Sequence, residues 1–259
     1  MKIEFILLMA FSLLLSACVH PEKVRLAGSS DGLSITAVAH PERPKKDVVR
    51  DKVRSPETVL KFYDVKQGDK VLEILAAGGY YTELLSRCVG ETGNVYMQNN
   101  KKYFQFQSDK SVVERLQENR LPNVIRWDKE LSDLQFAAGS LDKIFMILVL
   151  HDFYWMEKDV NVIIRQALSA LKPGGILAVI DHSAKQGTGI QSAIDVKGLH
   201  RIDKDYVIKL MLKSGFNLDA ESDSLEQLDD DRNRAFFNLS QTGKATDRFM
   251  LRFKKPEAT

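Results

Sequence analysis

Residues 70–89 read KVLEILAAGGYYTELLSRCV. Lys70 to Leu75 is a short apolar run of the kind that forms a buried strand, and Ala76 to Gly79 are all small. From Tyr81 to Val89 the apolar positions fall at helical spacing, with Leu84, Leu85 and Cys88 on one face. A strand that passes into a helix through small residues leaves backbone N–H groups and a helix N-terminus open to a ligand. Alone this is a weak signal, because a small-residue turn also serves plain packing.

The flanking sequence repeats the alternation. Upstream, Ser55-Pro56-Glu57 is a helix start: a capping hydroxyl, a proline for the first turn and an acid facing the positive helix end. That helix carries Val59, Leu60, Phe62 and Tyr63 and stops near Gly68. Downstream, strands are predicted at Asn94 to Gln98, Asn123 to Trp127, Asp142 to Leu150, Ile176 to Asp181, Phe216 to Ser222 and Thr246 to Phe253. Helices are predicted at Ser111 to Arg120, at Val160 to Leu171 and at Asp203 to Ser214. DKIFMILVL at 142–150 is the most apolar stretch of the domain and predicts a central parallel strand covered on both faces. The whole is an α/β fold, a doubly wound and mostly parallel sheet with right-handed crossovers. In such sheets ligands bind beyond the carboxyl ends of the strands.

Composition sets outer limits. With 44% hydrophobic and 28% charged residues, 15 Gly, 7 Pro and 2 Cys in 259, the chain is not collagenous, disulfide-stapled or wholly disordered. Lys plus Arg number 37 against 35 acids, a net charge of +2 that argues against a nucleic-acid partner.

The N-terminus departs from these averages. Phe5 to Leu15 is nearly all apolar, shorter than the roughly 20 residues that span a bilayer but suited to a signal peptide. Leu15-Ser16-Ala17-Cys18 comes next and resembles a bacterial lipobox. The resemblance implies removal of residues 1–17, lipidation of Cys18, and a periplasmic protein tethered to the cell envelope; Val19, not an acid, favours the outer membrane. Residues 18–54, rich in Pro, Lys, Arg, Asp and Ser without a sustained period, read as tether and irregular lead-in. The predicted domain covers residues 55–255. Cys88 is then the sole cysteine of that domain and reads as a buried thiol on an apolar helix face.

The residues just past the strand ends carry the chemistry. Glu73-Ile74-Leu75-Ala76-Ala77-Gly78-Gly79 runs in the order of the first motif of class I S-adenosylmethionine (SAM)-dependent methyltransferases, an acid-x-Gly-x-Gly-x-Gly pattern. Glu73 takes the acid's place and Gly79 the last glycine, while Leu75 and Ala77 stand where glycines are usual; Leu75 is placed to crowd the cofactor's amino-acid end. Gln98-Asn99 ends the second strand where this class carries an acid for the ribose, Asp128 lies where an acid meets the adenine, and Leu171-Lys172-Pro173-Gly174-Gly175 matches the turn before the fifth strand. The segments GYYTE (79–83), HDFYW (151–155), DHSA (181–184), LHRID (199–203) and TDRF (246–249) are similar to those of a family of secreted, predicted methyltransferases. That resemblance implies the class I Rossmann-like fold with a C-terminal antiparallel strand and SAM as cofactor. It also implies cofactor contacts from Glu73, Ala77, Gly78, Gly79, Asn99 and Asp128.

The histidines add a reading of their own. His151-Asp152 comes after the fourth strand, Asp181-His182 closes the fifth, and His200-Arg201 returns to the same rim through a loop with Gly187 and Gly189. Three imidazoles and two carboxylates are expected to converge. Such a rim can form a polar active site, with His151 or His182 as a general base tuned near neutral pH by a carboxylate. It can also ligate a divalent metal, although no HxH or HxxxH spacing fixes ligand geometry, so no metal is assigned. Or it can simply hydrogen-bond the loops. Tyr80, Tyr81, Phe153, Tyr154 and Trp155 wall a pocket or pack in the core; Asp229-Asp230-Asp231 reads as a solvated turn, and Arg248 is expected to pair with a rim acid. The leading function is methyl transfer from SAM to a small or envelope substrate, beside a non-catalytic ligand-binding lipoprotein and a metal-assisted enzyme.

Overall fold

In the computed structural model, which describes residues 30–105, 109–195, 197–240 and 244–258, seven strands hydrogen-bond into one sheet. They are β1 (Lys70–Ile74), β2 (Asn94–Asn99), β3 (Val124–Asp128), β4 (Leu141–Ile147), β5 (Leu171–His182), β6 (Asn217–Ser222) and β7 (Arg248–Lys254). Their order across the sheet is β3-β2-β1-β4-β5-β7-β6. β1 to β5 pair in parallel, and β7 runs antiparallel to both β5 and β6. The strand order reverses between β1 and β4, so the carboxyl ends of these two central strands frame the crevice. The α/β reading and its C-terminal antiparallel strand hold.

Local chemistry explains most elements. Ile144, Phe145 and Met146 of β4 are wholly buried, as a run of apolar residues between two parallel neighbours requires. Before the sheet lie α1 (Ser30–Val38), α2 (Lys45–Val48), α3 (Asp51–Arg54) and α4 (Pro56–Phe62). Within and after it come α5 (Tyr80–Val89), α6 (Asp109–Leu116), α7 (Asp152–Trp155), α8 (Val160–Ala170), α9 (Lys204–Lys213) and α10 (Phe236–Ser240). The Asp159 carboxylate caps α8 by accepting from the N–H groups of Asn161 (3.0 Å) and Val162 (3.2 Å), and Asp203 caps α9 through Asp205 N–H (2.9 Å).

Several expectations are corrected. Residues 30–54 are not irregular: α1 packs on α4 and α5, and Cys88, buried as expected, directs its thiol at the Leu33 carbonyl. The short helices α2 and α3 are fixed by charge pairs, the long-range Asp47–Arg115 (2.6 Å) and the nearer Arg43–Asp51 (2.7 Å), which leave no periodic trace. Ser55 has φ 42° and makes no capping hydrogen bond. β4 ends at Ile147, because Leu148 turns to φ 60° and directs its N–H at the Ile180 carbonyl (2.7 Å). The turn at 171–175 is drawn into β5, where Gly174 and Gly175 exchange backbone bonds with Lys255 at 3.0 Å. Residues 1–29, including Cys18 and the predicted signal segment, lie outside the described residues. No helix among the described residues is long and apolar enough to cross a membrane.

Candidate active site

The loop after β1 keeps a glycine-like backbone without the glycines. Leu75 (φ 49°), Ala77 (φ 52°) and Gly79 (φ 79°) all sit in the left-handed region. Side chains resist that conformation, at a cost on the order of 1 kcal/mol per residue, so surrounding bonds must hold it. They come from the end of β2. The Leu75 N–H donates to Gln98 Oε1 (2.9 Å), the Ala76 N–H to the Gln98 carbonyl (2.9 Å) and the Ala77 N–H to Asn99 Oδ1 (2.9 Å). Asn99 Nδ2 returns a bond to the Ala77 carbonyl (3.2 Å). The Leu75 side chain, 2% exposed, packs into the main core, and the residue also lines the crevice. A Cβ on Gly79 would meet the Met97 side chain at 2.8 Å, so the loop lies tight on β2. Below it the buried Glu73 accepts from the Thr82 hydroxyl; burial lifts its pKa to about 7 against that bond and the pull of Arg115 and Arg54.

On the other side of the crevice the rim does converge. His151 Nδ1 lies 2.6 Å from Asp181 Oδ1, and its Nε2 lies 3.0 Å from Asp152 Oδ1. Asp181, fully buried, also accepts from the N–H groups of His151 (2.9 Å) and His182 (2.7 Å). Burial opposes a charged ring at His151, but the Asp181 and Asp152 carboxylates outweigh it and raise the pKa to about 10. His151 is therefore an imidazolium at neutral pH. His182 is the opposite: burial, reinforced by the Arg248 and His151 cations, pushes its pKa well below the usual value, so it is neutral. Its Nδ1 is 2.6 Å from Thr246 Oγ1, and its ring stacks on Phe236 with centroids 4.9 Å apart. Neither histidine is tuned near neutrality, because one sits between two carboxylates and the other among cations. His200 (φ 54°) joins the edge, its Nδ1 3.7 Å from Asp152 Oδ1 and its ring against Trp155, Phe236 and Phe237.

His151, Asp152 and His200 place one ligand atom each within 4.8 Å of one another and form a donor set that could hold a metal. At neutral pH the proton on His151 competes for that position: with a pKa near 10 it must be displaced before the nitrogen can ligate.

Loop and rim face one cavity of about 740 Å³, lined by Glu73, Ala77, Gly78, His151, Asp152 and His182, and walled by Tyr80 and Tyr81. Its size suits a small-molecule site. The roof is the segment read from sequence as tether: Asp47, Arg50, Val53 and Arg54 of the α2–α3 region. Arg50 and Arg54 lie over the Tyr80 ring at 4.9 and 4.7 Å, and the Tyr80 hydroxyl donates to Asp51 (2.6 Å).

Other predicted site residues lie elsewhere. The Asn99 amide bonds the Ala77 backbone and does not line the cavity. Its neighbour Asn100, unremarked in the sequence, is 1% exposed, and its Nδ2 has no hydrogen-bond partner among the described residues. Asp128 is an exposed residue ion-paired to Arg126 (2.7 Å), away from the cavity lining. Arg201 is wholly buried and clamps Asp230 (2.8 and 3.1 Å) and the Arg234 carbonyl (2.9 Å), which makes it structural and removes Asp230 from the solvated turn. Phe153 is core, and Tyr154 and Trp155 pack against it. Arg248 pairs with no acid among the described residues; it donates to the Val53 carbonyl (2.8 Å) and to Thr246 Oγ1 (3.3 Å).

Comparison with known proteins agrees with this fold. Residues 72–179, from β1 through most of β5, match the family model of a methyltransferase domain. The ubiquinone/menaquinone biosynthesis C-methyltransferase UbiE of Saccharophagus degradans is 25% identical over 168 residues, 62% of this chain and 64% of that one, so the match spans slightly less than two thirds of the relative. Among solved structures, a SAM-dependent methyltransferase from Aquifex aeolicus superposes with a TM-score of 0.58 at 19% identity, over 82% of this chain and 98% of that one. A SAM-dependent methyltransferase from Mesorhizobium loti gives 0.55 at 13% identity, over 79% and 99%. The [4+2]-cyclase SpnF gives 0.57 at 15% identity, over 82% of each chain. Residues 72–179 are thus similar to a methyltransferase domain, and the chain has the fold of class I SAM-dependent methyltransferases. The cyclase shows that the fold does not fix the reaction.

Proposed function

We propose that the protein transfers a methyl group from SAM to an acceptor bound against the His151–His182 rim. The observation that carries this reading is the loop at 75–79, whose left-handed backbone is kept although two of the glycines that would favour it are absent. Strain of that kind persists where surrounding structure over-determines it, commonly at ligand sites. Here Gln98 and Asn99 hold the loop against the cavity.

The residues fit the cofactor. Ala77, Gly78 and the N-terminus of α5 would hold its amino-acid end. The buried Nδ2 of Asn100, with no hydrogen-bond partner among the described residues, stands next to the end of β2 and would suit a hydroxyl acceptor. When bound, SAM supplies a methyl group on a sulfonium. The chain's own task is then to hold the acceptor in line and manage its proton. His182 is neutral, and in the tautomer whose Nδ1–H donates to Thr246 Oγ1 its Nε2 would accept from a donor on the acceptor. His151, whose two N–H groups are both taken by carboxylates, stands beside it as a fixed positive charge, with ring centroids 5.6 Å apart.

We further propose that Cys18 tethers this domain to the periplasmic face of the cell envelope. Several acyl chains on one residue, at about 0.8 kcal/mol per methylene, would make a lasting anchor. Calorimetry on the full chain in detergent tests the leading reading. Binding of SAM or S-adenosylhomocysteine supports it, and a loss of binding in Gly78→Val, whose Cβ would press on Ser111 Oγ at 3.0 Å, places the ligand at the loop. No binding at millimolar concentration refutes it. Mass spectrometry of the mature N-terminus decides the anchor.

A further inference from the structure

The charges around the cavity do not balance. Six Lys or Arg side chains line it against three carboxylates. Two of those carboxylates are committed: Asp47 to Arg115 at 2.6 Å and Asp152 to His151 at 3.0 Å. The third, Glu73, is buried under the loop, hydrogen-bonded to Thr82, with its pKa lifted to about 7. At the junction of roof and rim, Arg50, Arg54 and Arg248 all face the same space. Among the described residues, Arg248, 8% exposed, reaches a carbonyl and a hydroxyl but no carboxylate, and the Arg54 guanidinium meets only the aromatic faces of Tyr80 and Tyr81. Arg50 lies over the Tyr80 ring at 4.9 Å, and its one carboxylate partner among the described residues is Asp47, at 3.7 Å.

Grouping cations without counter-charge is costly in a partly desolvated site. Their mutual repulsion shows in Arg248, whose pKa burial and the Arg54 and Arg50 cations lower to about 10. The sequence keeps three guanidiniums there, and guanidinium is the side chain best matched to a carboxylate or phosphate fork. Resting on the methyltransferase reading, we propose that the acceptor carries a carboxylate or phosphate group and that Arg50, Arg54 and Arg248 bind it, setting the substrate class.

The same contact would activate the rim. His182 faces Arg248 on β7, His151 after β4, Arg201 at the end of the 183–201 loop and Arg54 on α3, and it borders the Asp181 carboxylate. Burial first, and then these cations, keep it a weak base. An anion on Arg248 and Arg54 cancels two of them, so acceptor binding itself raises the basicity of His182.

The test uses inorganic phosphate as probe on the full chain in detergent, with binding followed by calorimetry and His182 by its ring resonances in NMR. Millimolar or tighter binding is expected, with an upward shift of the His182 titration. Hydrogen bonds to charged groups are worth about 1.5–3 kcal/mol, so Arg54→Gln and Arg248→Gln should each weaken phosphate roughly tenfold or more. Arg50→Gln, at a more exposed position, gives a smaller loss and guards against a folding defect in the other two. Equal phosphate affinity in all three variants, or none in the wild type, overturns the proposal. Phosphate binding that saturating S-adenosylhomocysteine abolishes also overturns it, by assigning the arginines to the cofactor's own carboxylate. Phosphate binding without any binding of S-adenosylhomocysteine keeps the anion site and removes the methyltransferase reading on which it rests.

Discussion

Replacing Asp181 by Asn tests the electrostatics of the rim. Asp181 is fully buried and accepts three bonds, from His151 Nδ1 (2.6 Å), His151 N–H (2.9 Å) and His182 N–H (2.7 Å). Asn keeps the shape but turns one acceptor into a donor and removes the charge. Breaking a buried pair from one side costs about 3–5 kcal/mol. Asp152 still contacts Nε2 at 3.0 Å, so a loss of about 3 kcal/mol is expected here. The pH dependence separates charge from shape. The His151 pKa is raised from 6.5 to about 10 in the folded protein. Its contribution is complete below about 6.5 and is lost as pH rises through 10. At 1.36 kcal/mol per unit that contribution is about 5 kcal/mol. In Asp181→Asn the His151 pKa falls, so the stability gap to wild type is widest near pH 6 and narrows towards pH 10. Urea denaturation across this range measures the gap, and NMR of the His151 ring reads its titration. A gap of equal size at pH 6 and pH 10 would refute the ion-pair account and leave Asp181 as a backbone anchor only.

Three further outcomes are expected. Ala77→Gly relieves a left-handed alanine (φ 52°) and should stabilise the fold by about 0.5–1 kcal/mol, seen as a small rise in melting temperature with the loop's ligand binding kept. Arg201→Ala leaves Asp230 buried without its partner and should cost about 3–5 kcal/mol, while ligand affinity of the folded protein is unchanged; a loss of affinity at full stability would return Arg201 to the site. Burial opposes ionisation of Glu83, but hydrogen bonds from Arg120, Arg87 and Arg115 lower its pKa from 4.5 to about 2. That stability is present above pH 4.5 and lost as pH falls through 2, so Glu83→Gln should cost about 3 kcal/mol at pH 7 and much less at pH 2 in denaturant titrations.

The rim and the roof differ in how far they could be read. His151-Asp152 and Asp181-His182 end adjacent strands, and strand adjacency in a parallel sheet comes from topology, so their convergence was legible. His200 arrives by a loop, and its seat beside His151 was legible only in outline. Arg201, next to it, turns the other way onto Asp230, because a loop has no period from which to infer the facing of a side chain. Asn99 and Asp128 occupy the expected strand ends, yet one bonds the Ala77 backbone and the other a neighbouring arginine. Register placed their backbones; competing hydrogen-bond partners placed their side chains.

The sequence by itself determined the α/β sheet, its strand ends and the small-residue loop, because alternating periods and turn residues are local signals. The tertiary structure alone decided the protonation of the histidines, which depends on two carboxylates and a set of cations brought from separate elements. It alone turned residues 45–54 from a tether into the cationic roof of the cavity, through the pairing of Asp47 with Arg115 and of Asp51 with Arg43 and Tyr80. Charge pairs over such distances carry no sequence period, and they set the electrostatics on which the site's chemistry rests.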